Sequence, residues 1–254
     1  MSHSKKKFLS KIQTNITNPD ELWDNFANQK REVNLKDYNR GFFLNDDSEM
    51  IMGFLYIHEG KPLLIPEPDL SILYFTFIEK SIDHIVGLRN QILELAGNQI
   101  KDSKISENIA SLFYNFFQLS SNFVINLFIS LEAFNNSLIP NDYTYINKKR
   151  KKYNREGIQR SIKFEEKLKR VIPQLFKKSF VVDFNKKFEL LREMKTLRDD
   201  VIHTKNFNTD FYASYKEMFT KYIDFDFKNA LAYTKEYMNF YKPNHIEKCD
   251  CGND

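Results

Sequence analysis

Six basic side chains crowd the segment 148-KKRKKYNR-155: Lys148, Lys149, Arg150, Lys151, Lys152 and Arg155, with no acid among them. Cations at this density neutralise phosphates and make binding depend on salt. Tyr143, Tyr145 and Tyr153 lie beside them, and such rings can stack on unpaired bases. The pattern points to RNA contact. A solvated charge run in the connection between two helices is the plainer alternative. Either way the segment sets affinity, and it cannot by itself cut anything.

A second group of charged side chains ends the stretch 188-FELLREMKTLRDDVIHTKNF-207. Phe188, Leu191, Met194, Leu197, Val201 and Ile202 recur at helical spacing and predict an amphipathic helix. Arg198, Asp199, Asp200 and His203 close it. Residues five apart on a straight α-helix differ by about 140° in direction, so Arg198 and His203 do not share a face. Asp199 and His203, four apart, do share one and can hydrogen-bond. A compact site containing both Arg198 and His203 needs the helix to distort before His203, or a second copy of the same helix. His203 could also do no more than pair with Asp199 and stabilise the helix C-terminus.

The run Leu197-Arg198-Asp199-Asp200-Val201-Ile202-His203 is an Arg-x4-His pattern at the end of a helix in a helical, phenylalanine-rich chain. It resembles the HEPN family, and 127-LFISLEAFNN-136 resembles that family's partner helix. The resemblance implies an all-α, HEPN-like helical bundle acting as a metal-independent endoribonuclease, with no cofactor. Its site would be composite, made where two protomers of a homodimer pool their Arg and His residues across a two-fold axis. That symmetric geometry is the commonest among oligomers.

By the same resemblance Arg198 would bind the scissile phosphate and stabilise charge in the transition state. His203 would be general base or acid near the ribose 2′-hydroxyl or the leaving 5′-oxygen. Internal attack by the 2′-hydroxyl would leave a 2′,3′-cyclic phosphate. Asp199 is assigned to orienting His203 or the backbone. Glu132, a polar residue in an apolar helix, is a candidate supporting partner of Arg198 or simply a solvent-facing glutamate. Proteins of this kind commonly serve as toxins or abortive-infection effectors in antiviral defence, so a cognate antitoxin or a triggering partner is expected. The alternative function is a non-catalytic HEPN-like dimerisation module that binds RNA, a nucleotide or a protein.

The remaining candidates are weaker. His58 sits in an expected hairpin turn, and His84 reads as a core histidine or the partner of a nearby carboxylate. His245-x3-Cys249-x-Cys251 has a shorter Cys spacing than zinc sites use and lacks a fourth ligand, so a frayed tail is expected. The sequence has no phosphate-binding glycine loop, nucleophile elbow or paired-histidine zinc helix.

The elements that must position these groups follow from composition and pattern. The chain has 254 residues, 42% hydrophobic and 28% charged, with 24 Phe and 13 Tyr but only 7 Gly and 7 Pro. Few breakers and many large apolar side chains favour long helices. A net charge of +4 demands no polyanionic partner, so where the charge lies matters more than its sum. No segment is read as a membrane span, and residues 1–11 lack the apolar run of a signal peptide. Cys249 and Cys251, at the extreme end, cannot staple a fold, which fits a reduced, cytoplasmic protein.

Three segments are expected. Residues 1–66 form an N-terminal extension: a helix capped by Asn18-Pro19 and running to about Gln29, an irregular stretch around Arg40-Gly41, then a hairpin of 50–57 and 62–66 turning at Glu59-Gly60. Pro62 and Pro66 make the second strand an edge. Residues 67–242 form the helical domain. Its helices are read at 69–98, at 104–137 as the central core helix, at 157–178 with a kink at Pro173, from 183 through the Arg-x4-His run, and at 210–241. Residues 243–254 form a C-terminal tail.

Overall fold

The computed structural model describes residues 4–5, 41–44, 50–95, 107–203 and 211–249. It is mostly helical, 68%, with a small antiparallel sheet near the N-terminus. The chain divides into two units, 7–69 and the remainder, the latter including residues 1–6. The expected helix after Asn18-Pro19 lies outside the described residues.

The smaller unit carries three antiparallel strands in the order β1 (Gly41–Leu44), β2 (Met50–His58) and β3 (Lys61–Pro66). β2 and β3 are the expected hairpin, with His58 opposite Lys61 and Gly53 opposite Pro66. Glu59 and Gly60 both have positive φ (49° and 78°), as the two central residues of a type I′ turn require. The prolines do fall on an edge strand. β1 corrects the expectation of irregular chain: Gly41 to Leu44 pair along β2 from Gly53 to Met50.

The helical unit is built around α3 (Glu107–Ser137), whose buried face includes Phe116, Phe123, Leu127, Leu131 and Phe134. By length and composition α3 could cross a membrane, against the expectation that no segment could. In this fold it is the core helix, with α1 (Leu70–Glu79), α2 (Ile82–Glu94), α7 (Asn185–Ile202), α8 (Phe211–Asp224) and α9 (Phe227–Tyr241) packed on it. Between α3 and α7 come a two-stranded ribbon, β4 (Tyr145–Ile146) with β5 (Lys152–Tyr153), then α4 (Arg155–Ser161), α5 (164–176) and α6 (Phe180–Asp183).

Several expected helices are broken in two. The 69–98 helix stops at Glu79, where Ser81 folds both its N–H and its hydroxyl back onto the Ile78 carbonyl (3.0 and 2.8 Å). Serine competes for backbone groups in this way and weakens a helix interior. The buried face of α1 includes Ile72, Phe75 and Ile78, while Leu73 and Phe77 are exposed. The 157–178 helix breaks at Ile162 and Lys163, both extended. Within α5, a π turn (Lys167–Val171) sits directly before Pro173, where the Ile172 N–H bonds the Lys167 carbonyl. The wider turn accommodates a proline that has no N–H to give. The 210–241 helix breaks at Phe225-Asp226, and Asp226 caps α9 by accepting from Asn229 N at 3.0 Å.

The beginning of the C-terminal tail is packed, not frayed. His245 and Ile246 are buried, and His245 Nε2 lies 2.8 Å from Ser71 Oγ with its ring against Phe134. Lys248 forms a β-bridge with Ser4, whose N–H and hydroxyl both donate to Glu79 at 2.8 Å. Lys5 N in turn donates to the Glu247 carbonyl. Ser4 and Lys5 therefore belong to the helical unit, although the sequence assigns them to the extension.

Candidate functional site

α7 holds the candidate residues because its apolar stripe is anchored. Phe188, Leu191, Met194 and Leu197 are fully buried, and Tyr222 of α8 donates from its hydroxyl to the Leu197 carbonyl at 3.2 Å. The stripe ends there: Val201 is half-buried and Ile202 is 45% exposed, so neither completes the core face that spacing predicted.

Arg198 leaves α7 on the side facing α3. Its guanidinium lies 4.9 Å over the Phe128 ring and donates to Asp199 at 2.8 Å, with 30% of the side chain exposed. Phe128 also packs against Phe164 of α5, so the surface under the guanidinium is fixed. An arginine over an aromatic face keeps its charge while its hydrocarbon and π surfaces are covered.

Asp199 does not orient the His203 side chain. Its carboxylate is taken by Lys195, one turn earlier, and by Arg198. Burial raises the cost of its charge, but the hydrogen bonds and fields of Lys195 and Arg198 outweigh this and hold the carboxyl below the usual carboxylate range. What reaches His203 is the backbone: its N–H donates to the Asp199 carbonyl at 2.9 Å and caps the helix. The His203 side chain is exposed and has no hydrogen-bond partner among the described residues. Through Ile202 the helix shows no distortion that would turn His203 towards Arg198. Within one chain the two remain on different faces.

Glu132 is neither the partner of Arg198 nor a solvent-facing glutamate. It accepts from Lys167 Nζ at 3.0 Å, and that lysine, 2% exposed, also donates to Asn136 Oδ1 and the Gln159 carbonyl. Lys167 and Asn136 are not among the candidates read from the sequence. The available signal was the i, i+4 pair Glu132 and Asn136 on an apolar helix, which asks for a buried cation. Lys167 answers from the π turn 35 residues later.

The basic segment forms the β4–β5 ribbon and its turn. Lys148, Lys149, Arg150, Lys151 and Lys152 are exposed. Arg155 is half-buried and donates from its guanidinium to Asn141. The tyrosines also depart from expectation. Tyr145 is buried, and its hydroxyl donates to Glu166 at 2.7 Å. Tyr143 contacts Gln174. Tyr153 lies under Lys151, whose Nζ is 5.1 Å from the ring centroid.

On the other side of α7 from Arg198 a shallow groove of about 580 Å³ runs between α7 and α8, lined by Lys186, Glu189, Arg192, Glu193, Thr196 and Lys221. Among the described residues no three His, Cys, Asp or Glu side chains converge as metal ligands. His58 lies at the exposed end of β2, and His84 is exposed on α2. The chain matches no family model, and comparison with curated proteins and with solved structures returns no match.

Proposed function

We propose that the protein is a metal-independent endoribonuclease of the HEPN type, cutting RNA at a composite site formed between two protomers. The observation that carries the reading is the pairing at the end of α7. A partly exposed arginine is held in place by Phe128 and Asp199, and an exposed histidine, with no side-chain partner among the described residues, lies five residues on at the end of the helix. On this reading Arg198 is the phosphate ligand and His203 the proton-transfer group, and helix geometry sets the two on different faces of one chain. A two-fold partner is the simplest way to bring an arginine of one copy to a histidine of the other. Arg198 would then hold the scissile phosphate and offset charge as it builds on the phosphoryl oxygens. His203 would take the proton from the 2′-hydroxyl or give one to the leaving 5′-oxygen.

The test compares wild type with Arg198→Ala and His203→Ala on mixed single-stranded RNA with EDTA present, checking fold and dimer mass alongside. The reading expects cutting by wild type, loss in both variants, and a 2′,3′-cyclic phosphate end. Variants that cut as well as wild type would sink it. The Arg198–Asp199 pair favours one second reading, a non-catalytic dimerisation module that binds RNA, a nucleotide or a protein. In that case wild type binds as a dimer and does not cut.

A further inference from the structure

The turn that joins β4 to β5 is built around one side chain. Asn147 and Lys151 close it through Asn147 N and the Lys151 carbonyl (3.0 Å), leaving Lys148, Lys149 and Arg150 as a three-residue loop. Asn147 Oδ1 accepts from Lys149 N at 2.9 Å and from Lys151 N at 3.0 Å, and Arg150 N donates to the Asn147 carbonyl. Arg150 has φ of 60°, the left-handed position that such loops usually give to glycine. A side chain there strains the backbone, because its Cβ crowds the following carbonyl. Strain held in place by a surrounding hydrogen-bond frame points to a use for the side chain that bears it.

The loop therefore displays its cations from a fixed frame. Lys148, Lys149, Arg150 and Lys152 make no ion pair and no side-chain hydrogen bond among the described residues. None of the three tyrosines is a fully exposed ring: Tyr145 is buried, and Tyr143 and Tyr153 are half-buried, with Lys151 over one face of Tyr153. Proteins that hold single strands without reading sequence draw much of their affinity from bases stacked on aromatic rings. A duplex hides its bases and presents phosphates more densely.

We infer that the β4–β5 ribbon is a backbone-reading finger for duplex RNA, gripping closely spaced phosphates through Lys148, Lys149, Arg150 and Lys152. That the polyanion is RNA rests on the endoribonuclease reading; the preference for a duplex rests on the ribbon itself. The ribbon positions folded RNA and leaves sequence unread.

The test measures fluorescence anisotropy of an RNA duplex and of an unstructured single strand, each of about 20 nucleotides, between roughly 50 and 200 mM salt. All proteins carry Arg198→Ala, so that the probes survive. The duplex is expected to bind at least about ten-fold tighter, with a log–log salt slope near about −3.6 for four phosphate contacts. Arg150→Gly keeps the turn, because glycine suits the left-handed backbone, and should make the slope shallower by about 0.9. Lys148→Ala with Lys149→Ala should remove about 1.8, with the thermal melt of each variant checking its fold. A single strand that binds as tightly as the duplex overturns the inference, and so do unchanged slopes in folded variants. Failure of both probes to bind also overturns it, and leaves the ribbon to an acidic protein surface. Cleavage by the unmutated protein is scored separately, so loss of the nuclease reading with duplex binding intact is a distinct result.

Discussion

The ammonium of Lys167 lies 3.0 Å from the carboxylate of Glu132, with the lysine 2% exposed and the glutamate 23%. The pair ties the π turn of α5 to the core helix α3, and Asn136 and the Gln159 carbonyl complete the lysine's hydrogen bonds. A buried ammonium is tolerated only because every N–H is met. Removing Glu132 leaves that charge uncompensated, so Glu132→Ala is expected to cost about 3 kcal/mol. Lys167→Met should cost less, because Met fills similar space and Glu132 retains an edge to water. The double variant should fall short of the sum of the two. Urea unfolding of the four proteins checks this, and additive losses would mean the two residues act independently.

If catalysis needs an arginine from one protomer and a histidine from the other, two dead variants should rescue each other. Mixing Arg198→Ala with His203→Ala and allowing exchange should restore up to roughly a quarter of wild-type cutting, since half the dimers are mixed and each holds one intact site. Dimer exchange verified by mass with no activity regained would exclude a site that takes one residue from each copy.

Asp199 supplies an acid-range signature. Burial opposes its charge, but Lys195 and Arg198 hold its carboxyl below the ordinary range. A depressed folded-state value means the stabilisation is in place above the unfolded value near 4 and is lost as pH falls through the folded one. Asp199→Asn should therefore be less stable than wild type at pH 7, and the gap should narrow steadily as the medium is made acidic. A constant gap at every pH would assign the loss to packing alone.

Tyr222, Tyr237 and Tyr241 give the opposite sign. Burial raises all three phenols, so the folded protein keeps protons that the unfolded chain releases near pH 10. Their contribution is complete below that pH and is lost as pH climbs towards the folded values. The melting temperature should drop steeply in alkali, and less steeply in Tyr222→Phe. At neutral pH that variant should lose about 1 kcal/mol with its bond to the Leu197 carbonyl. A slope unchanged by the substitution would show that Tyr222 is not among the groups responsible.

Truncation after Pro243 tests the packed tail. His245 and Ile246 are buried against the helical unit, and burying an Ile side chain alone contributes about 2 kcal/mol. Deleting residues 244–254 should therefore destabilise the protein by about 3 kcal/mol, adding the His245 contact with Ser71. A fully stable truncated chain would return the segment to the status of a dispensable tail.

Elements whose signals are local were legible in the amino-acid order. Two short apolar runs, Glu59-Gly60 and two prolines specified the β2–β3 hairpin and its edge. The nearly all-round apolar character of 104–137 marked the core helix. The spacing from Phe188 to Leu197 placed α7 and set Arg198 and His203 on different faces, because helix geometry depends on nothing farther away. Tertiary structure decided the rest. The breaks at Ser81, Lys163 and Asp226 interrupt apolar stripes that run straight through them, since a stripe records which residues are buried and not whether one helix or two bury them. Glu132 is committed by Lys167, Arg198 by Phe128, and Tyr145 by Glu166. Each partner lies between 21 and 70 residues away in the chain. A side chain's chemistry is fixed by the groups that reach it, and at that separation only the folded chain decides which ones do.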